Sequence, residues 1–130
     1  MQKLIAENNL ARDAGADDAF VLCQSWKESG FNPNARAGTH RGLLQVWPPA
    51  AKAVGVGGKE YKQVISDPAH NIQIGTKYLA QRIKEQGNFT KGAEHFGTGA
   101  GYAGNISECA DLVRAGRVQD GLNAIRPGAK

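Results

Sequence analysis

Apolar side chains recur along the first thirty residues at the period of a helix. From Gln2 to Ala14 the chain is rich in helix formers, and Gly15 ends the run. Asp17 can cap a second helix, with Asp18 in its first turn favouring the dipole. Ala19, Leu22, Cys23 and Trp26 stand at i, i+3, i+4 and i+7 and make one apolar stripe, which Ser29-Gly30 closes. From residue 30 to 60 glycines, prolines and asparagines interrupt short apolar pieces. This stretch reads as a long irregular segment with a short helix after Pro48-Pro49. Asp67-Pro68 opens a third long helix, with Asp as the cap and Pro where no N–H is needed. Ala69, Ile72, Leu79 and Ile83 follow at near-helical spacing, and Gly87 closes it. Thr90 is expected to cap a short helix through Phe96, a glycine-rich loop to run to Asn105, and a last helix to start at Ser107-Glu108 and end by Gly116. Nothing alternates with period two for long enough to make a sheet, so the pattern predicts a mostly α chain.

Composition narrows the class. The chain has 130 residues, 41% apolar and 22% charged, which is one domain over residues 1–130 with a single modest core. The longest apolar run, Ala19 to Cys23, is far short of the roughly 20 residues that span a bilayer, so no membrane insertion is expected. No apolar core follows Met1-Gln2-Lys3, so no signal peptide is visible. The chain is then cytoplasmic, a mature form, or released by another route. The formal charge of +4 leans towards anionic partners such as nucleic acid, acidic lipid or cell wall. The basic residues form no block, which leaves nucleic acid unsupported.

Cys23 and Cys109 are either one disulfide or two buried thiols. With His40, His70 and His95 they show no short ligand spacing, so no metal is expected. Gly99-Ala100-Gly101-Tyr102-Ala103-Gly104 matches GxGxxG formally but follows a helix where a strand is required, so no dinucleotide cofactor is expected. Gly55 to Lys59 lacks the spacing of a P-loop and reads as a turn.

Glu28 is the residue with chemistry to offer. It lies at the C-terminal end of the second helix, away from the apolar stripe, where the negative end of the dipole disfavours its charged form. Apolar neighbours such as Phe31 or Trp47 would add desolvation. A carboxyl kept protonated can act as a general acid on a leaving oxygen. Taken alone, a solvated glutamate at a helix end is the simpler account.

The surroundings change that. Glu28-Ser29-Gly30-Phe31-Asn32-Pro33-Asn34-Ala35, then Gly42-Leu43-Leu44-Gln45-Val46-Trp47-Pro48, then Asp67-Pro68-Ala69-His70-Asn71-Ile72-Gln73-Ile74-Gly75-Thr76-Lys77-Tyr78-Leu79 come in order. Together they resemble the E-S-x-F-x-P-x-A, G-L-M-Q-x-x-P and D-P-x-x-N-I-x-x-G-x-x-Y-L elements of the lytic transglycosylases, goose-lysozyme-like enzymes that cleave peptidoglycan. The likeness covers roughly residues 3 to 105.

It implies a mainly α, lysozyme-like fold of the α+β lysozyme superfamily with little or no β-sheet. It also implies cleavage of the β-1,4 bond between N-acetylmuramic acid and N-acetylglucosamine, with Glu28 as the single acid and then base. The muramyl 6-hydroxyl would attack intramolecularly and leave a 1,6-anhydro end. Ser29 would be a hydrogen-bonding neighbour in the sugar groove, and Gln45 would touch the sugar beside the scissile bond. No metal or organic cofactor is implied. The partner would be the glycan strands of the bacterial cell wall, met by a monomer. Delivery by a phage particle, phage lysis or a secretion machine fits, as does a periplasmic enzyme whose leader has been removed. A hydrolytic muramidase or endolysin on the same fold and an impaired glycan-binding module are the alternatives.

Ordinary glycosidases use two carboxylates. Between Ser29 and Lys59 there is no Asp or Glu, and the next acids are Glu60 and Asp67. The same stretch holds Arg36, His40, Arg41 and Lys52, which suits an anionic glycan. Where the family has A-Y-N-x-G, this chain has His95-Phe96-Gly97-Thr98-Gly99. Phe96 keeps the ring and loses the hydroxyl, and Tyr102 would supply one if the glycine-rich loop folds back. Trp26 belongs to the core by its place on the stripe. Trp47 is an even choice between packing and stacking on a sugar.

Overall fold

A computed structural model describes residues 1–128. In chain order the elements are α1 (Gln2–Asn8), α2 (Asp18–Ser29), the two-residue strands β1 (Arg36–Ala37) and β2 (His40–Arg41), α3 (Pro48–Ala53), α4 (Gly58–Val64), α5 (Pro68–Gln86), α6 (Phe89–Phe96), α7 (Tyr102–Arg114) and α8 (Val118–Asn123). The fold is mainly α. The one hairpin among the described residues is antiparallel, with Arg36 opposite Arg41 and Ala37 opposite His40.

α2 starts where the Asp17 side chain accepts the Phe20 N–H at 3.0 Å, and it ends at Gly30 in the left-handed conformation, φ 59°. Phe20, Val21, Leu22, Cys23, Gln24 and Ser25 are all buried. The apolar stripe is thus part of a helix enclosed on most sides, as suits a central element. α2 packs on α7, and a Cys23–Cys109 disulfide joins the two helices. α5 is capped by Asp67, which accepts the His70 N–H at 3.0 Å, and buries Ile72, Ile74, Leu79 and Ile83. α6 folds back against it.

Several boundaries differ from the pattern. The first helix stops at Asn8 because Asn9 turns inward. Its amide donates to the Ala16 carbonyl and the Asp18 carboxylate, and its oxygen accepts the Ala11 N–H. These bonds replace the helical ladder, and only a 3₁₀ turn at Arg12–Ala14 follows. The cap of α6 is Asn88, whose Oδ1 accepts the Lys91 N–H at 3.0 Å, and not Thr90. α7 begins inside the glycine-rich stretch, at Tyr102, because that ring is buried at 2% exposure. α4, α8 and the hairpin lie where none was expected. The strands are too short to show a period, and α4 is tied to the rest chiefly by the half-buried Tyr61 and Val64.

Candidate active site

The end of α2 is built from both directions. Gly30 and Phe31 are both left-handed, φ 59° and 66°, which turns the chain sharply away after Ser29. Trp26, one turn back, is half-buried, and its indole N–H donates to the carbonyls of Leu122 and Ile125 at 2.9 and 3.2 Å. Its ring packs on Phe31 with centroids 5.0 Å apart. Trp26 is therefore a core residue that braces α8 against the end of α2. Glu28 stands half-buried in this last turn.

Tyr102 reaches Glu28 from α7. Its hydroxyl donates to Glu28 Oε2 at 2.6 Å. The Tyr102 hydroxyl oxygen in turn accepts the Gln24 side-chain amide N–H at 3.3 Å. Burial, then the negative charge of Glu28, hold the phenol well above its usual pKa, so it remains a neutral donor. The Nζ of Lys27 lies 5.8 Å from the ring centroid.

Gly97 makes room for this ring. A Cβ there would lie 2.2 Å from Tyr102 Cδ1, closer than any non-bonded carbon pair allows. Phe96, half-buried, stands beside it with centroids 6.3 Å apart, and Tyr78 lies 5.8 Å from Phe96 on its own account. The residue pair that departs from the family's Tyr-Asn thus forms the wall and the clearance for Tyr102.

The loop from Gly42 to Trp47 is pinned from below. Asn71 of α5 accepts the Leu44 N–H at 2.9 Å and donates to the carbonyls of Arg41 and Ile65 at 2.9 and 3.0 Å. Gly75, one turn on, lets the loop press close, since a Cβ would meet Leu44 Cδ1 at 2.7 Å. From α2, the Ser25 hydroxyl donates to the Leu43 carbonyl at 3.4 Å. Gln45 has φ 50°, and its amide N–H groups go to the carbonyls of Ala35 and Gly42 at 3.1 and 2.9 Å.

Of the residues expected to make a site, the structure brings Glu28 and Tyr102 together, with Phe96 adjacent. Ser29 is buried, and its hydroxyl donates to the Ser25 carbonyl at 3.0 Å instead of facing an open groove. Gln45 is buried too and shapes its own loop. Trp47 is 42% exposed at the start of α3, with the His40 ring stacked on it at 5.6 Å. Asp67 is committed to its cap and to the His70 ring at 2.6 Å. Gln24 went unnoticed in the sequence, although it stands four residues before Glu28, one turn away on the same face. Among the described residues no group of three or more His, Cys, Asp or Glu gathers as a metal site, and no helix is long and apolar enough to cross a membrane.

A mainly α, lysozyme-like domain with one carboxylate at the end of a central helix, over a loop pinned to a second long helix, is a recognisable class. Residues 7–114 match the family described as the transglycosylase SLT domain, and the chain belongs to that family. It is similar to the membrane-bound lytic murein transglycosylase C of Actinobacillus succinogenes, 37% identical over 75 residues, or 53% of this chain and 21% of that protein. The protein of the same name from Klebsiella pneumoniae (strain 342) is 27% identical over 128 residues, 91% of this chain and 36% of that protein. The chain thus spans 21% to 36% of the length of these curated relatives. No solved structure matches it significantly.

Proposed function

We propose that this chain is a lytic transglycosylase of peptidoglycan, cleaving the β-1,4 bond between N-acetylmuramic acid and N-acetylglucosamine with Glu28 as its single acid and base. The observation that carries this reading is the short Tyr102–Glu28 hydrogen bond in a member of the SLT family. Tyr102 donates to Oε2 and orients the carboxyl, whose acid form carries one proton. That proton passes to the glycosidic oxygen as the C1–O bond breaks, and the N-acetylglucosamine side leaves as an alcohol. The resulting carboxylate takes the proton of the muramyl 6-hydroxyl while the hydroxyl oxygen, O6, bonds to C1. The 1,6-anhydro end forms, Glu28 is protonated again, and no water is consumed. The commitment of Asp67 to capping supports a one-carboxylate mechanism over a two-carboxylate one.

Phe96 acts by packing beside Tyr102, and Gln45 and Ser29 by shaping the loop and the helix end. Trp47 offers the exposed aromatic surface on which a pyranose ring can lie. The substrate is the bacterial cell wall. Purified sacculi incubated with the parent and with Glu28→Gln test the reading. Soluble muropeptides lighter by one water than their hydrolysed counterparts, from the parent only, are the expected result. Ordinary reducing ends would make the chain a muramidase, and binding with no release would make it a glycan-binding module.

A further inference from the structure

Gln24 is fully buried, at 0% exposure, directly after the apolar run Ala19 to Cys23 on α2. Its amide nitrogen reaches Tyr102 Oη, while its Oε1 has no hydrogen-bond partner among the described residues. A buried carbonyl without a partner destabilises a fold, and an apolar side chain of similar volume would avoid it. Stability therefore does not account for a glutamine at this position. Among the described residues, the one hydrogen bond of its side chain is to the tyrosine that touches Glu28.

A phenol has one proton. The 2.6 Å contact commits it to the Glu28 carboxylate, so the lone pairs of Oη must face whatever packs behind it. An amide N–H there is complementary to that orientation, and it polarises the O–H towards Glu28. A methylene group in its place would leave Oη unpaired and the hydroxyl free to rotate.

We infer that Gln24 is a positioning residue for Glu28, acting through Tyr102: its amide fixes the direction of the Tyr102 hydroxyl and so the hydrogen bond on Oε2. The inference rests on the proposed role of Glu28. The charged groups facing Tyr102 are Glu28 and Lys27, both on α2. Both are unchanged in a Gln24 variant.

The test compares the parent, Gln24→Met, Tyr102→Phe and the double variant. Four measurements are made: thermal melting, kcat on sacculi, the pH dependence of kcat/KM, and the titration of the Glu28 carboxyl by carbon-13 NMR. Gln24→Met is expected to melt at or above the parent temperature and to lose roughly three- to tenfold in kcat, the size of one neutral hydrogen bond. A donor to the carboxylate favours its charged form. Weakening it therefore raises the Glu28 titration midpoint and moves the alkaline limb of the profile upward. In the Tyr102→Phe background the same substitution should change neither kcat nor the titration.

An equal loss in both backgrounds overturns the inference, as does an unaltered carboxyl titration in Gln24→Met. A lower melting temperature with no shift of the titration also overturns it, because that pattern is a packing defect. The carboxyl titration needs no turnover. A parent that releases nothing from sacculi would defeat the proposed function while the titration still decides the role of Gln24.

Discussion

Position 97 shows how one missing carbon arranges a site. Gly97 has φ −99° and ψ −141°, outside the regions that residues with a side chain ordinarily adopt, and space adds a second requirement. The Tyr102 ring occupies the volume that a side chain would need. Installing the asparagine found at this place in the family pattern would push the ring away from Glu28. Gly97→Asn is therefore expected to lose activity at least as severely as Tyr102→Phe. Overpacking should also lower its stability by about 1–3 kcal/mol. Muropeptide release and a denaturant melt on the two variants check this. A fully active Gly97→Asn protein would show that the ring's seat is not what positions the hydroxyl.

Among the elements, α2 and α5 are set by their ends. Asp17 caps α2 and also meets Arg114 of α7, with Nε and Nη2 at 2.6 and 2.9 Å from its carboxylate. The guanidinium, and after the cost of burial the Phe20 N–H, hold its carboxyl below the usual range. A carboxyl depressed in the fold stabilises it above the unfolded pKa and loses that stabilisation as pH falls through the folded value. Unfolding should therefore become easier below about pH 4. Asp17→Ala should cost about 1 kcal/mol near neutrality and flatten that acid dependence. Urea melts at several pH values measure both.

On α5, Asn71→Ala would strand the Leu44 N–H and two carbonyls beneath the loop. A loss of about 3 kcal/mol is expected in the same urea experiment. The caps Asp17 and Asp67 were legible in the sequence because capping is local, and so was the place of Glu28 at a helix end. What escaped reading depends on partners far along the chain. Asn9 ends α1 through Ala16 and Asp18, Gln24 meets Tyr102 across 78 residues, and Tyr102 itself pulls the start of α7 into a run of glycines. Short spacing rules carry no information about such contacts.

At the scale of the molecule, the two helices that hold Glu28 and Tyr102 are also the two joined by Cys23–Cys109, across 86 residues. Sequence left open whether the two cysteines are bonded or are two buried thiols, because spacing does not report their distance; the packing of α2 on α7 brings them together. Closing so long a loop restricts the unfolded chain. Replacing both cysteines by alanine is expected to cost about 2–4 kcal/mol, read as a lower melting temperature. The bond has another consequence. Glu28, the hairpin, the pinned loop, α5, α6 and Tyr102 all lie between the two cysteines. A protease that cuts once anywhere in that span makes two fragments that cannot drift apart. A cut between residues 28 and 102 puts Glu28 on one piece and Tyr102 on the other, with the two still covalently fastened. Such a nicked protein should run as one species on a denaturing gel without reductant and as two with it.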